Sequence, residues 1–260
     1  MNMCVLVKTE IIKLKRYSII WIGIAAMLLV VLLSRYMETA ADGTLPTFES
    51  FSNSVIWNNF SLFFPATITL MSGYIITRER VNDTLKNILT VPVSFRSLLI
   101  GKLITVGLIA IFLGVVSFGL TLFIFLLSHY PGLAAKVLVQ SFFQMIGINV
   151  CVYLAVLPII ILTSHSANGF MAGVGFAFFY GIVGAFASGH DLTSVYPITA
   201  GLGIINYQGE EGSSYNLSLC YLTLIAICLI SIVLIAVMGK KSKTPAPLTD
   251  KFSNKSLRKH

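Results

Sequence analysis

Few side chains in this sequence have the types and spacing that chemistry requires. There is no G-x-x-x-x-G-K-[ST] phosphate-binding loop and no H-E-x-x-H zinc motif among the 260 residues. The histidines are scattered along the chain, at His129, His165, His190 and His260. Ser164-His165-Ser166 is a lone cluster with no acid nearby in sequence. We therefore expect that this chain is not an enzyme and that it binds no metal ion or cofactor of its own.

Charged residues are missing where ion-driven transporters commonly need them. Positions 137–189 contain no Asp, Glu, Lys or Arg, and the apolar interiors of the other long hydrophobic stretches carry none either. Proton- and sodium-coupled transporters commonly use intramembrane carboxylates to bind the ion. If this chain transports a solute, the driving energy should therefore enter through a partner outside the membrane.

The composition indicates an all-α polytopic membrane protein. The chain is 56% hydrophobic and 11% charged, whereas soluble domains carry about 25% charged residues. Its net charge of +8 comes from basic residues confined to a few connections, so it does not predict a nucleic-acid partner. The cysteines form no C-x-x-C pair and are interpreted as small core hydrophobes: Cys4, Cys151, Cys220 and Cys228.

Six apolar stretches are predicted to cross a bilayer, each near the roughly 20 helical residues that this takes. They are 19–33, 55–77, 98–127, 137–163, 168–188 and 217–238. The first is short and should extend into its flanks, and the third is long and should tilt, with Lys102 snorkelling at its start. Pro65 and Pro158 should kink the second and fourth. The spans make one transmembrane domain, 1–238, followed by a basic, flexible tail, 239–260.

The basic residues predict that both termini are cytosolic. With the N-terminus inside, 16 of the 18 lysines and arginines fall in the inner segments, and Arg35 and Lys136 are the exceptions. The outer connections hold six of the ten acids: Glu38, Asp42, Glu49, Asp191, Glu210 and Glu211.

Three further segments have a distinct character. Residues 5–17 read as a basic amphipathic helix on the membrane surface, with Val7, Ile11 and Leu14 on one face, or alternatively as flanking charges that only set topology. The aromatic face Trp57, Phe60 and Phe64 could line a pathway, or could belong to an ordinary interfacial belt. The outer segment 192–206 is too apolar for a free loop, and could re-enter the membrane or cap its outer surface.

The stretch 77–103 connects two spans and contains a short amphipathic helix. Asp83 can cap this helix, and Pro92 stops it. Its apolar face consists of Val81, Leu85, Ile88 and Leu89. Such a helix can dock on a soluble partner or lie among lipid headgroups.

This stretch resembles the permease subunit of type-2 ABC exporters. An acid ends one span, a short helix follows, and a Pro-Val-Ser-x-Arg turn and a Gly-Lys pair open the next span. The matching residues are Glu79, Thr84-Leu85, Leu89, Pro92-Val93-Ser94, Arg96 and Gly101-Lys102. The resemblance extends over the whole chain in the order of spans, while only this stretch carries motifs.

The resemblance implies that region 78–97 is a coupling helix seated in a groove of a cytosolic ATPase. The ATPase-coupling residues would be Glu79, Arg80, Asp83, Leu85, Lys86, Leu89, Pro92 and Arg96. Two permease chains, identical or homologous, would join two ATPase subunits that bind ATP and magnesium. The first helix would be an interfacial elbow, and segment 192–206 a re-entrant element near the exit.

The chain is most similar to bacterial lantibiotic-immunity and bacitracin-resistance permeases, which implies a peptide antibiotic as substrate and the bacterial cytoplasmic membrane as location. Export of drugs, lipids or polysaccharides would leave much the same sequence pattern. A secondary transporter or channel that works without an ATPase is the alternative from another class.

Topology can be tested by thiol labelling in a variant whose native cysteines are replaced. Cysteines at Asp42 and Glu210 should react with an impermeant reagent added outside, because both positions are expected in outer loops. Cysteines at Lys86 and Lys251 should react only after the membrane is permeabilised. Labelling of position 86 from outside would reverse the orientation.

Overall fold

The computed structural model describes residues 3–14, 17–40, 46–81, 95–128, 133–163, 169–188, 192–208 and 215–241. These ranges fold entirely into helices and short connections. The α-helices are α1 Met3–Leu14, α2 Ile19–Ala40, α3 Phe48–Asn58, α4 Phe64–Val81, α5 Phe95–Leu127, α6 Ala135–Thr163, α7 Gly169–Ala187, α8 Pro197–Ile204 and α9 Leu217–Lys241, and a π-helical stretch, Asn59–Phe63, joins α3 to α4.

Six helical segments in the described ranges have the length and apolar composition to cross a membrane, as the sequence predicts. They are Ile19–Thr39, Phe48–Arg78, Arg96–Leu127, Ala135–Thr163, Gly169–Ala187 and Leu217–Val237. The fold is therefore an all-helical, multi-span bundle. The predicted tail from residue 242 onward lies outside the described residues.

The second span begins at Phe48, earlier than the predicted position 55. Thr47 caps α3 by accepting a hydrogen bond from the backbone N–H of Ser50. Phe48 and Phe51 are fully buried and pack against Phe125 of α5. Sequence hydropathy missed residues 48–54 because five of these seven residues are polar: Glu49, Ser50, Ser52, Asn53 and Ser54.

The second span is irregular just before Pro65, near the position where the sequence predicts a kink. Proline has no N–H to donate to the carbonyl four residues back, which here belongs to Ser61. The chain forms a π-helical stretch, and the N–H of Phe64 bonds to the carbonyl of Asn59. Helix α7 packs closely against this irregular stretch at Gly181. A β-carbon added at Gly181 would overlap the carbonyl oxygen of Ser61, so this position accepts no side chain without a shift of the backbone.

Buried amides join the spans at the middle of the bundle. The Asn59 side-chain NH₂ donates to Asn149 Oδ1 at 2.7 Å, and the Asn149 NH₂ lies 3.5 Å from the carbonyl of Ala110. Asn58 donates to Ser34 Oγ at 3.0 Å. Buried polar groups need such partners because losing a hydrogen bond there costs about 1–3 kcal/mol.

Segment 192–206 contains the short helix α8, whose residues from Ile198 to Gly203 are buried. The Gln144 amide of α6 donates to the carbonyls of Ile205 and Asn206 at 3.1 and 3.2 Å. A β-carbon added at Gly201 would lie 2.7 Å from Cys151 Cβ, so the glycine lets α8 lie close to α6. The segment is therefore packed against the spans, and its predicted re-entry into the membrane stays a prediction.

The contact at Gly181 predicts a stability difference between two glycine substitutions on one helix. Gly181→Ala should lower the free energy of unfolding by about 1–3 kcal/mol, because its methyl group would overlap a backbone carbonyl. Gly175→Ala is the matched control, since nothing lies within 4 Å of its added β-carbon. It should be neutral or stabilising, because alanine favours helix by up to about 1 kcal/mol over glycine. Thermal unfolding of the purified variants in detergent measures both, and equal midpoints would contradict this packing.

Candidate functional site

The candidate site lies at the end of the bundle where α4 ends at Val81 and α5 begins at Phe95, which we call the basal end. The predicted coupling helix connects these two helices. Its residues Asp83, Leu85, Lys86, Leu89 and Pro92 lie outside the described residues. The side chains of Glu79 and Arg80 also lie outside the described set.

Arg96 is the predicted coupling residue whose side-chain contact the structure describes. Its Nη2 donates to the carbonyl of Ala236, 2.6 Å away, near the end of α9. A backbone carbonyl can accept a second hydrogen bond through its other lone pair, and a charged donor makes that bond stronger than a neutral one would. Arg96 therefore ties the start of α5 to the end of the last span.

A buried ion pair joins α1 to the start of α5. Lys102 Nζ lies 3.4 Å from Glu10 Oε2 and donates to the carbonyl of Ile75 at 2.8 Å. Lys13 lies 2.7 Å from the other carboxylate oxygen, Oε1, of Glu10. Glu10 is 4% exposed and Lys102 is 3% exposed. The pair thus fixes the ends of two spans and the first helix with respect to one another.

The predicted snorkelling of Lys102 is wrong. The ammonium is buried because α1 covers the start of α5, where Gly101 has no side chain and Leu6 fills the space. Of the predicted apolar face of α1, Leu14 is buried against the chain and Ile11 is exposed, so the position of this helix on the membrane surface stays a prediction. The face turned toward the bundle contains Leu6, Glu10 and Leu14.

Arg78 lies at the end of the second span and is held by two aromatic residues. Its guanidinium carbon is 3.7 Å from the ring centroid of Tyr17, and its Nη1 donates to the hydroxyl of Tyr74 at 2.8 Å. Tyr17 and Tyr74 also meet edge to face, with centroids 6.3 Å apart. A cation over an aromatic ring contributes about 0.5–2 kcal/mol. This contact fastens the connection between α1 and α2 to the end of α4.

We call these residues the basal cluster: Glu10, Lys13, Tyr17, Tyr74, Arg78, Arg96 and Lys102. Sequence reasoning identified Arg96 and the Gly101-Lys102 pair but missed Glu10 and Tyr17. One signal was available, because Glu10 is the one acid before position 38 and lies three residues before Lys13. The cluster can anchor both flanks of segment 82–94, while its groups have no arrangement suited to bond-making chemistry.

The predicted pathway residues sit on one face of the second span. Phe60 and Phe64 are fully buried in the chain's own core. Trp57 is partly buried, meets Phe60 edge to face at 5.1 Å and stacks on Tyr207 at 6.3 Å. The two phenylalanines therefore do not face open space in this chain, and the pathway role stays a prediction. Among the described residues, no group of three or more His, Cys, Asp or Glu side chains could hold a metal ion.

Comparison with known families decides what kind of protein carries this cluster. Residues 6–184, more than half of the chain, match the family described as ABC-2 family transporter protein. The chain belongs to the ABC-2 transporter family. The match includes α1 and the flanks of segment 82–94, whereas α8 and α9 follow it in sequence. The predicted resemblance to type-2 ABC permeases is thereby confirmed.

A curated relative of this ABC-2 permease is the bacitracin transport permease protein of Bacillus licheniformis. It is 28% identical over 131 residues, which are 50% of this chain and 62% of the relative. The chain therefore spans less than two thirds of that relative's length in the match. The family and the six candidate spans identify this chain as a multi-pass membrane transport protein.

The contact between Arg78 and Tyr17 can be tested by two substitutions that differ in keeping the ring. Tyr17→Leu should lower the free energy of unfolding by about 1 kcal/mol, because the guanidinium loses the nearer of its two aromatic partners. Tyr17→Phe keeps the ring over Arg78 and should change stability by a few tenths of a kcal/mol. Thermal unfolding in detergent measures the difference, and equal losses in both variants would show that the ring face contributes nothing.

Proposed function

We propose that this ABC-2 permease is the membrane subunit of an ATP-driven exporter, coupled through region 78–97 to a separate ATPase. The observation that supports this most is the anchoring of segment 82–94 at both flanks. Lys102, after the segment, bonds to the carbonyl of Ile75 before it, and Glu10 of α1 completes the contact. A segment whose two ends are fixed to the bundle can transmit a movement of a docked partner to both adjoining spans.

The energy source would be the partner, because the chain carries no phosphate-binding loop. Two cytosolic ATPase subunits would bind ATP and magnesium, and a second permease chain, identical or homologous, would complete the pathway. The apolar face of the coupling helix would fill a dry groove of the ATPase, and Glu79, Arg80, Asp83 and Lys86 would orient it. Both termini would then lie in the cytosol of a bacterial cell.

The substrate class we propose is an amphipathic peptide antibiotic of the bacitracin or lantibiotic type. The support is the likeness to a protein named for bacitracin transport. The absence of charge from positions 137–189 also suits a substrate taken from the membrane, since an uncharged interior does not attract ions. Trp57, stacked on Tyr207, offers a half-buried aromatic surface where such a compound could be contacted.

The coupling proposal predicts a large effect from one buried charge. Leu85→Asp would place a carboxylate in a contact that should be dry, at a cost of several kcal/mol. ATPase binding should weaken at least about a hundredfold, since about 2.8 kcal/mol corresponds to that factor. Expression and membrane insertion should stay unchanged, because the proposed coupling helix would lie outside the bilayer. Affinity purification from native membranes, and growth in bacitracin or a lantibiotic, measure binding and export.

The matched control for this experiment is Asn87→Asp, which adds the same charge on the polar face of the same helix. It should retain the ATPase and resistance at near wild-type levels. If the Leu85→Asp variant recovered the ATPase fully and conferred full resistance, the segment would be only an interfacial loop and the coupling proposal would fail. Wild-type protein that purifies without an ATPase yet transports would favour the secondary-transporter alternative.

A further inference from the structure

Helix α1 is attached to the bundle through one narrow face. Leu6 packs over Gly101, and Glu10 meets Lys102 four residues later along the helix. The opposite side of α1 is exposed, with Val5 and Ile12 more than half accessible. The helix therefore makes an apolar contact to Gly101 and a charged contact to its neighbour Lys102, both near the start of α5.

The charged contact does more than fill space. Replacing a buried ion pair with apolar side chains of similar size is commonly neutral or stabilising, because desolvation of the ions offsets their attraction. An ion pair differs from an apolar contact in its directional requirement, since each charge must meet its partner to avoid an unpaired buried ion. Here Lys102 requires two partners at once, the Glu10 carboxylate and the Ile75 carbonyl.

We propose that α1 and the first turns of α5 move as one rigid body during transport, and that Glu10 and Lys102 are positioning residues that set its orientation against the end of α4. This inference rests on the proposed coupling of segment 82–94 to an ATPase. In this arrangement, a movement that the ATPase imposes on segment 82–94 displaces α1 together with α5. Helix α1 is thereby a part of the moving apparatus, in addition to any role as an anchor on the membrane surface.

A disulfide between α1 and α5 tests the rigid body directly. A β-carbon added at Gly101 would lie 3.8 Å from Leu6 Cβ, which matches the mean separation of about 3.8 Å in disulfides. The variant carries Leu6→Cys and Gly101→Cys, with the native Cys4, Cys151, Cys220 and Cys228 replaced by serine. The control pair is Ile12→Cys with Gly101→Cys, because Ile12 lies on the exposed side of α1.

The Leu6–Gly101 pair should cross-link under mild oxidant in native membranes, with and without ATP, whereas the control pair should not. The locked protein should keep its ATP hydrolysis and its export within about twofold of the reduced protein. Loss of export on locking, restored by reductant, would show that α1 must separate from α5 and would overturn the inference. Failure to cross-link, or equal cross-linking of the control, would overturn the contact itself.

The positioning role is tested with the double variant Glu10→Met and Lys102→Met, which keeps the volume and removes both charges. Its thermal stability and ATPase recovery should remain near wild type, while export per ATP hydrolysed should fall at least fivefold. The conservative Lys102→Arg keeps the cation and should retain coupling within about twofold. A double variant that exports as much per ATP as wild type would show that the pair is only structural.

The wild-type protein separates this inference from the proposed function. If it purifies without an ATPase and confers no ATP-dependent export, the proposed function fails, and with it the mechanical role given to α1. If the wild-type protein purifies with an ATPase and exports, the cross-linking result and the export per ATP hydrolysed then decide whether α1 and the start of α5 move as one rigid body. A stable, assembled double variant that is fully coupled then contradicts the positioning role alone.

Discussion

Polar groups inside this apolar bundle have little water to bind, so they need partners from the protein. Helices satisfy the backbone within each segment, which explains the all-helical architecture of the described residues. Several hydroxyl side chains find a partner by donating to the carbonyl four residues back, as Thr77 does to Gly73 and Thr105 does to Gly101. The amides of Asn59 and Asn149 meet each other across two spans.

The same constraint acts on charge at the basal end. A buried ammonium and a buried carboxylate are tolerated when each is close to its partner and to further polar groups, as Lys102, Glu10 and the Ile75 carbonyl are. These requirements bring together α1, α4 and α5, which flank segment 82–94. A partner that binds this segment would therefore act on a preorganised end of the bundle, while the uncharged middle carries no comparable ionic connections in positions 137–189.

At the end of the bundle opposite the basal end, helix α8 packs closely against its neighbours through small residues. Gly201 and Gly203 of α8 lie against Cys151 and Cys220, where added β-carbons would be 2.7 and 2.6 Å from the cysteine side chains. Such approaches let α8 lie close to α6 and α9 at these two positions. The ABC-2 family match ends at residue 184, so helix α8 lies beyond the matched region.

The sequence by itself determined the fold class, the six candidate spans and the family, because runs of apolar residues and a local motif require no knowledge of distant contacts. It also pointed to Arg96 and to Gly101-Lys102 as special positions. Only the tertiary structure decided what they touch: Lys102 is buried against Glu10, 92 positions away in sequence, and Arg96 meets the end of the last span. Helix α1 could have left Lys102 to the solvent, and a contact between distant segments depends on packing that hydropathy and periodicity do not encode.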